Sequence, residues 1–191
     1  MGVLVLARAL KLPAQPQVCH RALSRNLSPR NGRSPIRAWR FLVDDGVVSF
    51  PDRWQGTFKQ NVSKEVGDFV IRRADGLWAY QLAVVVDDGF QDVTHVVRGA
   101  DLIDNTPRQI LLQKALGLPT PAYMHIPLVL DKNGNKLSKQ TLAPAIDRSR
   151  PEEEAAHAWT HLGFKPFTFD TLEEFYSEAV QRWRVRFQIS A

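Results

Sequence analysis

Two lysines that flank a small hydroxyl residue form the group in this sequence with the clearest chemical potential. Lys136, Ser138 and Lys139 follow a turn that Asn133-Gly134 predicts. A lysine ammonium on a mobile loop can follow a phosphate as negative charge develops on it. The serine adds a hydroxyl and a backbone N–H to the same cradle. A lone pair of lysines is more commonly a solvated basic turn, so the neighbouring motifs decide between a phosphate-binding loop and that alternative.

Arg98 and Tyr80 stand at the edges of predicted elements. Arg98 follows the run Val93–Val97, which predicts a strand, and open parallel sheets bind their ligands at strand ends. A guanidinium there can pair with a carboxylate through two parallel hydrogen bonds. Taken singly, an exposed strand-end cation and a core aromatic at a helix start are the commoner explanations of these two residues. Asp101 either orients Arg98 or a ribose, or is the N-cap of the next helix.

Five short sequence motifs contain or lie between these residues, in a fixed order along the chain. They are D-G-L-x-A-Y ending at Tyr80, V-V-V-D-D, V-R-G-A-D-L containing Arg98, N-T-P-R-Q, and K-L-S-K-Q ending at Gln140. This order resembles the class I glutamyl-tRNA synthetase family, and most closely its short branch, the glutamyl-queuosine tRNA(Asp) synthetases. The resemblance extends from about Gly67 to Ala145 and continues more weakly towards the C-terminus.

The resemblance implies both a fold and a reaction. The fold would be α/β, the second half of a class I synthetase Rossmann-type catalytic domain with a small connective α/β region. The reaction would be ATP-dependent activation of L-glutamate and its transfer to the queuosine base of tRNA(Asp), with Mg²⁺ accompanying the ATP. Tyr80 and Arg98 would contact L-glutamate, and Lys136, Ser138 and Lys139 would bind ATP. Lys139 would be catalytic, stabilising the pyrophosphate as the glutamate carboxylate attacks the α-phosphorus.

The end of the lysine motif favours the queuosine branch. Gln140 closes the motif where an ordinary glutamyl-tRNA synthetase has arginine, and residues 141–191 are too few for a helical anticodon-binding region. Two alternatives stay open. In the first, the chain is a fragment of an ordinary glutamyl-tRNA synthetase. In the second, it is a non-catalytic tRNA-binding remnant whose basic N-terminal arm and connective region bind the phosphate backbone.

Cys19 resembles the last ligand of the zinc site in this family. Tetrahedral zinc needs four ligands, and the earlier cysteines and tyrosine of the family pattern do not occur in this sequence. We therefore expect no metal site in this chain, with Cys19 an orphan ligand. A single cysteine excludes an internal disulfide and suits a reducing compartment.

The N-terminal region departs from the family pattern. Family members begin with a strand and an H-I-G-H-like motif, and this sequence contains neither. We therefore expect a truncated chain or a misplaced start. The apolar run within residues 1–10 is too short to span a bilayer, so no membrane partner is expected. Residues 1–40 carry basic and no acidic side chains, which a mitochondrial transit peptide also shows.

Bulk composition agrees with one globular protein that binds an anionic partner. A chain of 191 residues with 44% hydrophobic residues can bury a real core. The net charge of +5 favours an anionic partner such as tRNA. A cytoplasmic monomer is expected.

Three segments and several elements are predicted. The segments are an irregular basic segment over 1–36, a remnant of the zinc-binding region; a connective region over 37–66; and the C-terminal half of the catalytic domain over 67–191.

Hairpins are predicted for Trp39–Val43 with Val47–Phe50, and for Phe69–Arg73 with Leu77–Ala79. The β-branched residues of 80–88 suit a strand, but the resemblance makes this segment a helix. Further helices are predicted over 106–116, capped by Thr106-Pro107 and ended by Gly117, over 151–162 and over 171–183.

Overall fold

The computed structural model describes residues 38–131, 133–137 and 145–189. Its strands are β1 (Trp39–Phe41), β2 (Val47–Asp52), β3 (Gly56–Asn61), β4 (Phe69–Arg72), β5 (His95–Gly99) and β6 (Ala122–Ile126). Its helices are α1 (Val62–Glu65), α2 (Tyr80–Phe90), a 3₁₀ helix (Ala100–Asn105), α3 (Thr106–Leu116), α4 (Pro151–His161) and α5 (Leu172–Phe187). The chain divides into an N-terminal unit, Met1–His125, and a C-terminal unit, Ile126–Ala191.

The N-terminal unit is built on a four-stranded sheet with the order β3-β2-β6-β5. Strands β2 and β3 are antiparallel, whereas β2 and β6 are parallel, with Asp52 opposite Tyr123. Strands β1 and β4 form a separate antiparallel pair. Helices and strands alternate along this unit, so the predicted α/β class is confirmed.

The first predicted hairpin is wrong in its pairing. Both strands form, but β2 pairs with β3 and β1 pairs with β4. Burial explains the difference. Phe41 and Phe69 are neighbours across the β1–β4 pair, with ring centroids 5.4 Å apart, whereas Val48 and Phe50 belong to a second apolar cluster. Strand β3 was not predicted because its sequence, Gly-Thr-Phe-Lys-Gln-Asn, is mostly polar.

The second predicted hairpin is confirmed as a tight turn. Arg72 and Trp78 form an antiparallel bridge, and the backbone N–H of Gly76 donates to the carbonyl of Arg73 at 3.0 Å. The guanidinium of Arg72 lies between two indole rings, 5.1 Å from Trp39 and 5.2 Å from Trp78. These cation–π contacts connect the end of β4 to Trp78, two residues before α2 begins.

Helix α2 confirms the prediction that the resemblance gave for residues 80–88. Its Leu82, Val85 and Val86 are buried in the cluster that contains Phe41 and Phe69. The β-branched valines therefore lower the local helix propensity but gain burial on one face, and the burial decides the structure.

Helix α3 is confirmed with the predicted bounds, but its N-cap differs from the prediction. Asn105, the last residue of the 3₁₀ helix, is the N-cap and makes no cap hydrogen bond with its side chain, and Thr106 is the first residue of α3. The hydroxyl of Thr106 is instead buried in the polar site described below. The predicted N-cap role of Asp101 is also wrong, because Gly99 is the N-cap of the 3₁₀ helix and Asp101 lies in its first turn. Gly117 ends α3 in the left-handed region, at φ 68°.

The C-terminal unit begins with a turn and ends with two helices. The Asp131 carboxylate accepts the backbone N–H groups of Asn133 and Asn135, and Gly134 has φ +80°, so the predicted Asn-Gly turn is confirmed. Helices α4 and α5 confirm both predicted helices and pack around buried Trp159 and Phe175. Within the described ranges no helix is both long and apolar enough to cross a membrane.

Candidate active site

Arg98 lies at the centre of a hydrogen-bonded group in the N-terminal unit. It is the penultimate residue of β5 (His95–Gly99), whereas the sequence predicted a strand over Val93–Val97 that ends just before it. Its Nε donates to His125 Nε2 at 3.0 Å, and its Nη2 donates to Thr106 Oγ1 at 2.7 Å and Gln109 Oε1 at 2.8 Å. The guanidinium also lies 5.6 Å from the ring centroid of Tyr123. Three directed hydrogen bonds on a planar, charged group hold Arg98 in one orientation.

A buried carboxylate stands behind His125. The Oδ2 atom of Asp52 is 2.6 Å from His125 Nδ1, and neither side chain is exposed to solvent. Burial raises the pKa of Asp52, but the backbone N–H of Gln55, the His125 ring and further backbone N–H donors outweigh it and hold this pKa below its ordinary value. Asp52 is therefore ionised at neutral pH.

A relay of amides connects Arg98 to α2. Gln109 accepts from Arg98, so its amide nitrogen is the group that donates to Gln81 Oε1, at 3.0 Å. Gln81 in turn donates to Asn105 Oδ1, which also accepts from Arg108. Because arginine only donates, the guanidinium at each end of the relay fixes the orientation of every amide between them.

Of the two residues predicted to bind glutamate, Arg98 belongs to this relay and Tyr80 is the chain neighbour of a relay residue, Gln81. Tyr80 is the first residue of α2 and is 52% exposed, and its neighbour Gln81 is buried in the relay. The phenol is thus open to a ligand while the backbone that carries it is tied, through Gln81 and Gln109, to Arg98. The Tyr80 side chain is not a core aromatic.

The guanidinium of Arg98 has one acidic and one aromatic neighbour, Asp88 and Tyr123. Burial raises the pKa of Asp88 on α2, the positive charge of Arg98 opposes that rise, and the neighbouring Asp87 adds to it. Burial also raises the pKa of Tyr123, whose hydroxyl accepts from Gln113 at 2.8 Å. Tyr123 therefore presents a neutral aromatic face to Arg98.

The order Asp52, His125, Thr106 resembles a nucleophile with its base, but the geometry excludes that chemistry. Thr106 is fully buried, and the lone pair of His125 Nε2 already accepts from Arg98. By contrast, the structure gives Nη1 of Arg98 no hydrogen-bond partner among the residues it describes. The arrangement is suited to binding an anion at Arg98, not to attacking a substrate.

The residues of the lysine loop are only partly described. Lys136 is exposed, forms an antiparallel bridge with Leu130 and follows the Asp131 turn. Ser138, Lys139 and Cys19 lie outside the described residues. Among the described side chains, no group of three or more His, Cys, Asp or Glu could hold a metal ion.

Sequence reasoning missed most of the residues that support Arg98. They are Asp52, Gln81, Thr106, Gln109 and His125. One signal was available for Thr106 and Gln109, since both belong to the N-T-P-R-Q word. His125 stands in the apolar run Tyr-Met-His-Ile of β6, where a polar residue needs a buried partner.

Several curated bacterial proteins are similar in sequence to this chain. It is 57% identical over 158 residues to the glutamyl-Q tRNA(Asp) synthetase of Burkholderia mallei, covering 80% of this chain and 53% of the relative. It is 52% identical over 178 residues to the protein of that name from Ralstonia nicotianae, covering 91% and 56% respectively. The match to the Cupriavidus metallidurans protein of that name is 60% over 136 residues, covering 70% and 44%. The chain spans about half the length of the curated relatives it matches.

The family model of class I tRNA synthetases (E and Q), catalytic domain, matches residues 11–164. That range contains β1 to β6, α1 to α4, Arg98 and its supporting side chains. The match covers most of the chain and agrees with the order of words found in the sequence. The chain therefore belongs to the family of class I tRNA synthetases for glutamate and glutamine, a family of ligases.

Proposed function

We propose that this chain supplies the glutamate-binding part of an ATP-dependent ligase that activates L-glutamate and transfers it to the queuosine base of tRNA(Asp). The observation that carries the proposal is the fixed guanidinium of Arg98, linked through Gln109 and Gln81 to the helix that begins at Tyr80. The names of the relatives, glutamyl-Q tRNA(Asp) synthetase, support the choice of substrate and acceptor.

Arg98 and Tyr80 are assigned to L-glutamate. Three hydrogen bonds hold the guanidinium of Arg98, and its Nη1 has no hydrogen-bond partner among the described residues. Such a guanidinium can pair with a carboxylate at little entropic cost. The exposed phenol of Tyr80 offers a second hydrogen bond to the same ligand. Both assignments follow the family words and are consistent with the geometry.

ATP is assigned to the lysine loop. Lys136 and Ser138 would bind the triphosphate together with its Mg²⁺, and Lys139 would act in catalysis. The glutamate carboxylate oxygen attacks the α-phosphorus, the bond to the bridging oxygen breaks, and pyrophosphate leaves. A lysine that meets the charge growing on that leaving group lowers the barrier to the reaction without tightening the binding of glutamate.

The remaining assignments extend from the same proposal. The basic segment 1–36, the connective region 37–66 and the catalytic half 67–191 are proposed as the domain division. The protein is proposed to act as a cytoplasmic monomer that meets tRNA through its net charge of +5.

The test is glutamate-dependent exchange of pyrophosphate into ATP, followed by transfer to tRNA. The 191-residue chain and a version extended with the H-I-G-H half of a relative are compared; we expect little exchange from the first and robust exchange from the second. In the extended version, Lys139→Ala is expected to lower kcat by roughly 10²–10³. Arg98→Ala is expected mainly to raise the KM for glutamate, because the carboxylate is already charged in the ground state.

The acceptor is tested with three RNAs. Labelled glutamate is expected on tRNA(Asp) that carries queuosine, and on neither unmodified tRNA(Asp) nor tRNA(Glu). Transfer to tRNA(Glu), or equal labelling of both forms of tRNA(Asp), would assign the chain to an ordinary glutamyl-tRNA synthetase. An extended version without glutamate-dependent exchange would contradict the proposal as a whole.

A further inference from the structure

The buried pair Asp52–His125 has no role in the function proposed so far. Both side chains are fully shielded from solvent, and both belong to adjacent strands, β2 and β6. A buried carboxylate and imidazole are costly unless each hydrogen bond between them is satisfied. The hydrogen bonds that Asp52 and His125 make with their neighbours therefore indicate the role of the pair.

The protonation state of His125 follows from its two neighbours. Asp52 is an ionised acceptor, so the Nδ1 atom that lies 2.6 Å away carries a proton and donates it. Arg98 only donates, so the Nε2 atom that accepts from it at 3.0 Å carries a lone pair. His125 is thus neutral, with its proton on Nδ1.

Asp52 is itself held in place by the backbone. Its Oδ1 accepts the N–H groups of Trp54 at 3.0 Å and Gln55 at 2.8 Å, while Oδ2 faces the imidazole. The backbone N–H of His125 lies 3.1 Å from both oxygens. This carboxylate cannot rotate without losing several donors, so it presents one fixed acceptor to His125.

We propose that Asp52 and His125 are positioning residues that set the orientation of Arg98 for its carboxylate ligand. Asp52 fixes the tautomer of His125, and the Nε2 lone pair then holds Nε of Arg98 while Nη1 stays available. The proposal rests on the assignment of Arg98 to L-glutamate made above. Neither residue touches the ligand; each acts through Arg98.

An isosteric change of Asp52 separates positioning from mere packing. In Asp52→Asn, the amide oxygen keeps the Trp54 and Gln55 donors, so the amide NH₂ faces His125 Nδ1 and donates to it. The imidazole proton then moves to Nε2, where it points at the donor Nε of Arg98. Shape is preserved, but the hydrogen bond to Arg98 is lost.

Two changes of His125 test which ring nitrogen matters. Glutamine places an acceptor near the position of Nε2 and so keeps a partner for Arg98. Asparagine places its amide near the position of Nδ1, so it keeps a donor for Asp52 but leaves Arg98 Nε without its acceptor. We expect His125→Gln to retain glutamate binding better than His125→Asn, because only glutamine offers Arg98 Nε an acceptor.

The measurement uses the ¹⁵N-labelled 191-residue chain in three steps. Two-bond ¹H–¹⁵N spectra report the imidazole tautomer, with the His125 signal identified by its loss in His125→Gln. The Arg98 Nε–H signal reports the hydrogen bond to His125. Titration with L-glutamate, followed on that signal, gives the dissociation constant.

The expected pattern is a wild-type His125 protonated on Nδ1, a change to Nε2 protonation in Asp52→Asn, and roughly tenfold weaker glutamate binding in that variant and in His125→Asn. Retention of the wild-type tautomer, of the Arg98 signal or of glutamate affinity in folded Asp52→Asn would overturn the proposal. If the wild-type chain has the expected tautomer but does not bind glutamate, the assignment of Arg98 to glutamate is wrong. The claim that the pair orients Arg98 for that ligand is then wrong as well. Loss of affinity in His125→Gln equal to that in His125→Asn also counts against it.

Discussion

At the scale of single residues, Arg98 is defined by what holds it. Its three hydrogen-bond partners are His125 on β6 and the first and fourth residues of α3, Thr106 and Gln109. Each partner is buried, so removal of one leaves a polar group without water or protein to satisfy it. The site is therefore sensitive to changes that leave Arg98 itself untouched.

Gln109 gives the first prediction at this scale. Gln109→Met keeps the volume but removes the acceptor for Arg98 and the donor for Gln81. We expect the free energy of unfolding to fall by about 1–3 kcal/mol, measured by urea titration. Gln91→Met, an exposed control at the end of α2, is expected to change it by less than about 0.5 kcal/mol. Equal effects of the two changes would mean that the relay contributes nothing.

Asp52 gives a prediction of pH dependence. Its pKa in the folded protein lies below its ordinary value of about 3.9, so its ionised form stabilises the fold above that pH. This stabilisation is lost as the pH falls through the lowered pKa. The difference in unfolding free energy between wild type and Asp52→Asn is therefore expected to be largest near neutral pH and to shrink below about pH 4.

The same urea titrations, repeated from about pH 7 to about pH 3, measure that difference. Asp104→Asn, a change at an exposed carboxylate, is the control and is expected to show a far smaller dependence. A stability difference for Asp52→Asn that grows on acidification would have the wrong sign.

The sequence singled out Tyr80 and Arg98 but not the side chains that support Arg98. Tyr80 and Arg98 belong to short sequence motifs that resemble those of a known family. The relay of amides connects Arg98 to Gln81, the chain neighbour of Tyr80. Asp52 and His125 are 73 residues apart in sequence, and only the pairing of β2 beside β6 brings them together. No local pattern carries that information.

At the scale of elements, burial decided what propensity left open. The valines of α2 suit a strand, but one face of the helix fills the cluster under β1 and β4. The first hairpin failed for the same reason, because Phe41 and Val48 belong to different clusters. Turns with a defined chemistry were predicted more reliably, since Asn133-Gly134 and Gly117 act through their own backbone.

Gly117 gives the prediction at this scale. Its φ of 68° lies in the left-handed region, where a side chain collides with the backbone. Gly117→Ala is expected to lower the unfolding free energy by about 1 kcal/mol, whereas Gly117→Asn is expected to cost less because asparagine tolerates this region. Thermal unfolding of the two variants, followed by circular dichroism, decides the order. If alanine were tolerated as well as asparagine, the left-handed end of α3 would be in doubt.

At the scale of the whole molecule, net charge bears on the partner more than on the fold. For the proposed tRNA partner, a net charge of +5 would provide an attraction to the phosphates that does not depend on base sequence. Under the proposed function, selection of one tRNA would then come from the modified base. The two contributions respond differently to salt, and this allows them to be separated.

Salt dependence is therefore a prediction for the 191-residue chain. Affinity for tRNA(Asp), measured by fluorescence anisotropy, is expected to fall at least about tenfold between about 50 and 200 mM salt. The control is tRNA(Asp) without queuosine, for which the same slope is expected because the phosphates are unchanged. Affinity that does not respond to salt would contradict the electrostatic attraction.

The most direct test of the candidate site is whether Arg98 binds the carboxylate of L-glutamate. Saturation-transfer NMR detects weak binding, so it applies to the 191-residue chain itself, with Arg98→Lys as the matched variant and Arg73→Lys as the control. Arg73 is an exposed arginine paired with Asp75, so its replacement is expected to leave binding unchanged. We expect transfer to L-glutamate from the wild type and the control, and at least about tenfold weaker binding to folded Arg98→Lys, because lysine cannot reproduce the guanidinium fork. Equal binding by folded Arg98→Lys, or no binding by the wild type, would contradict the assignment.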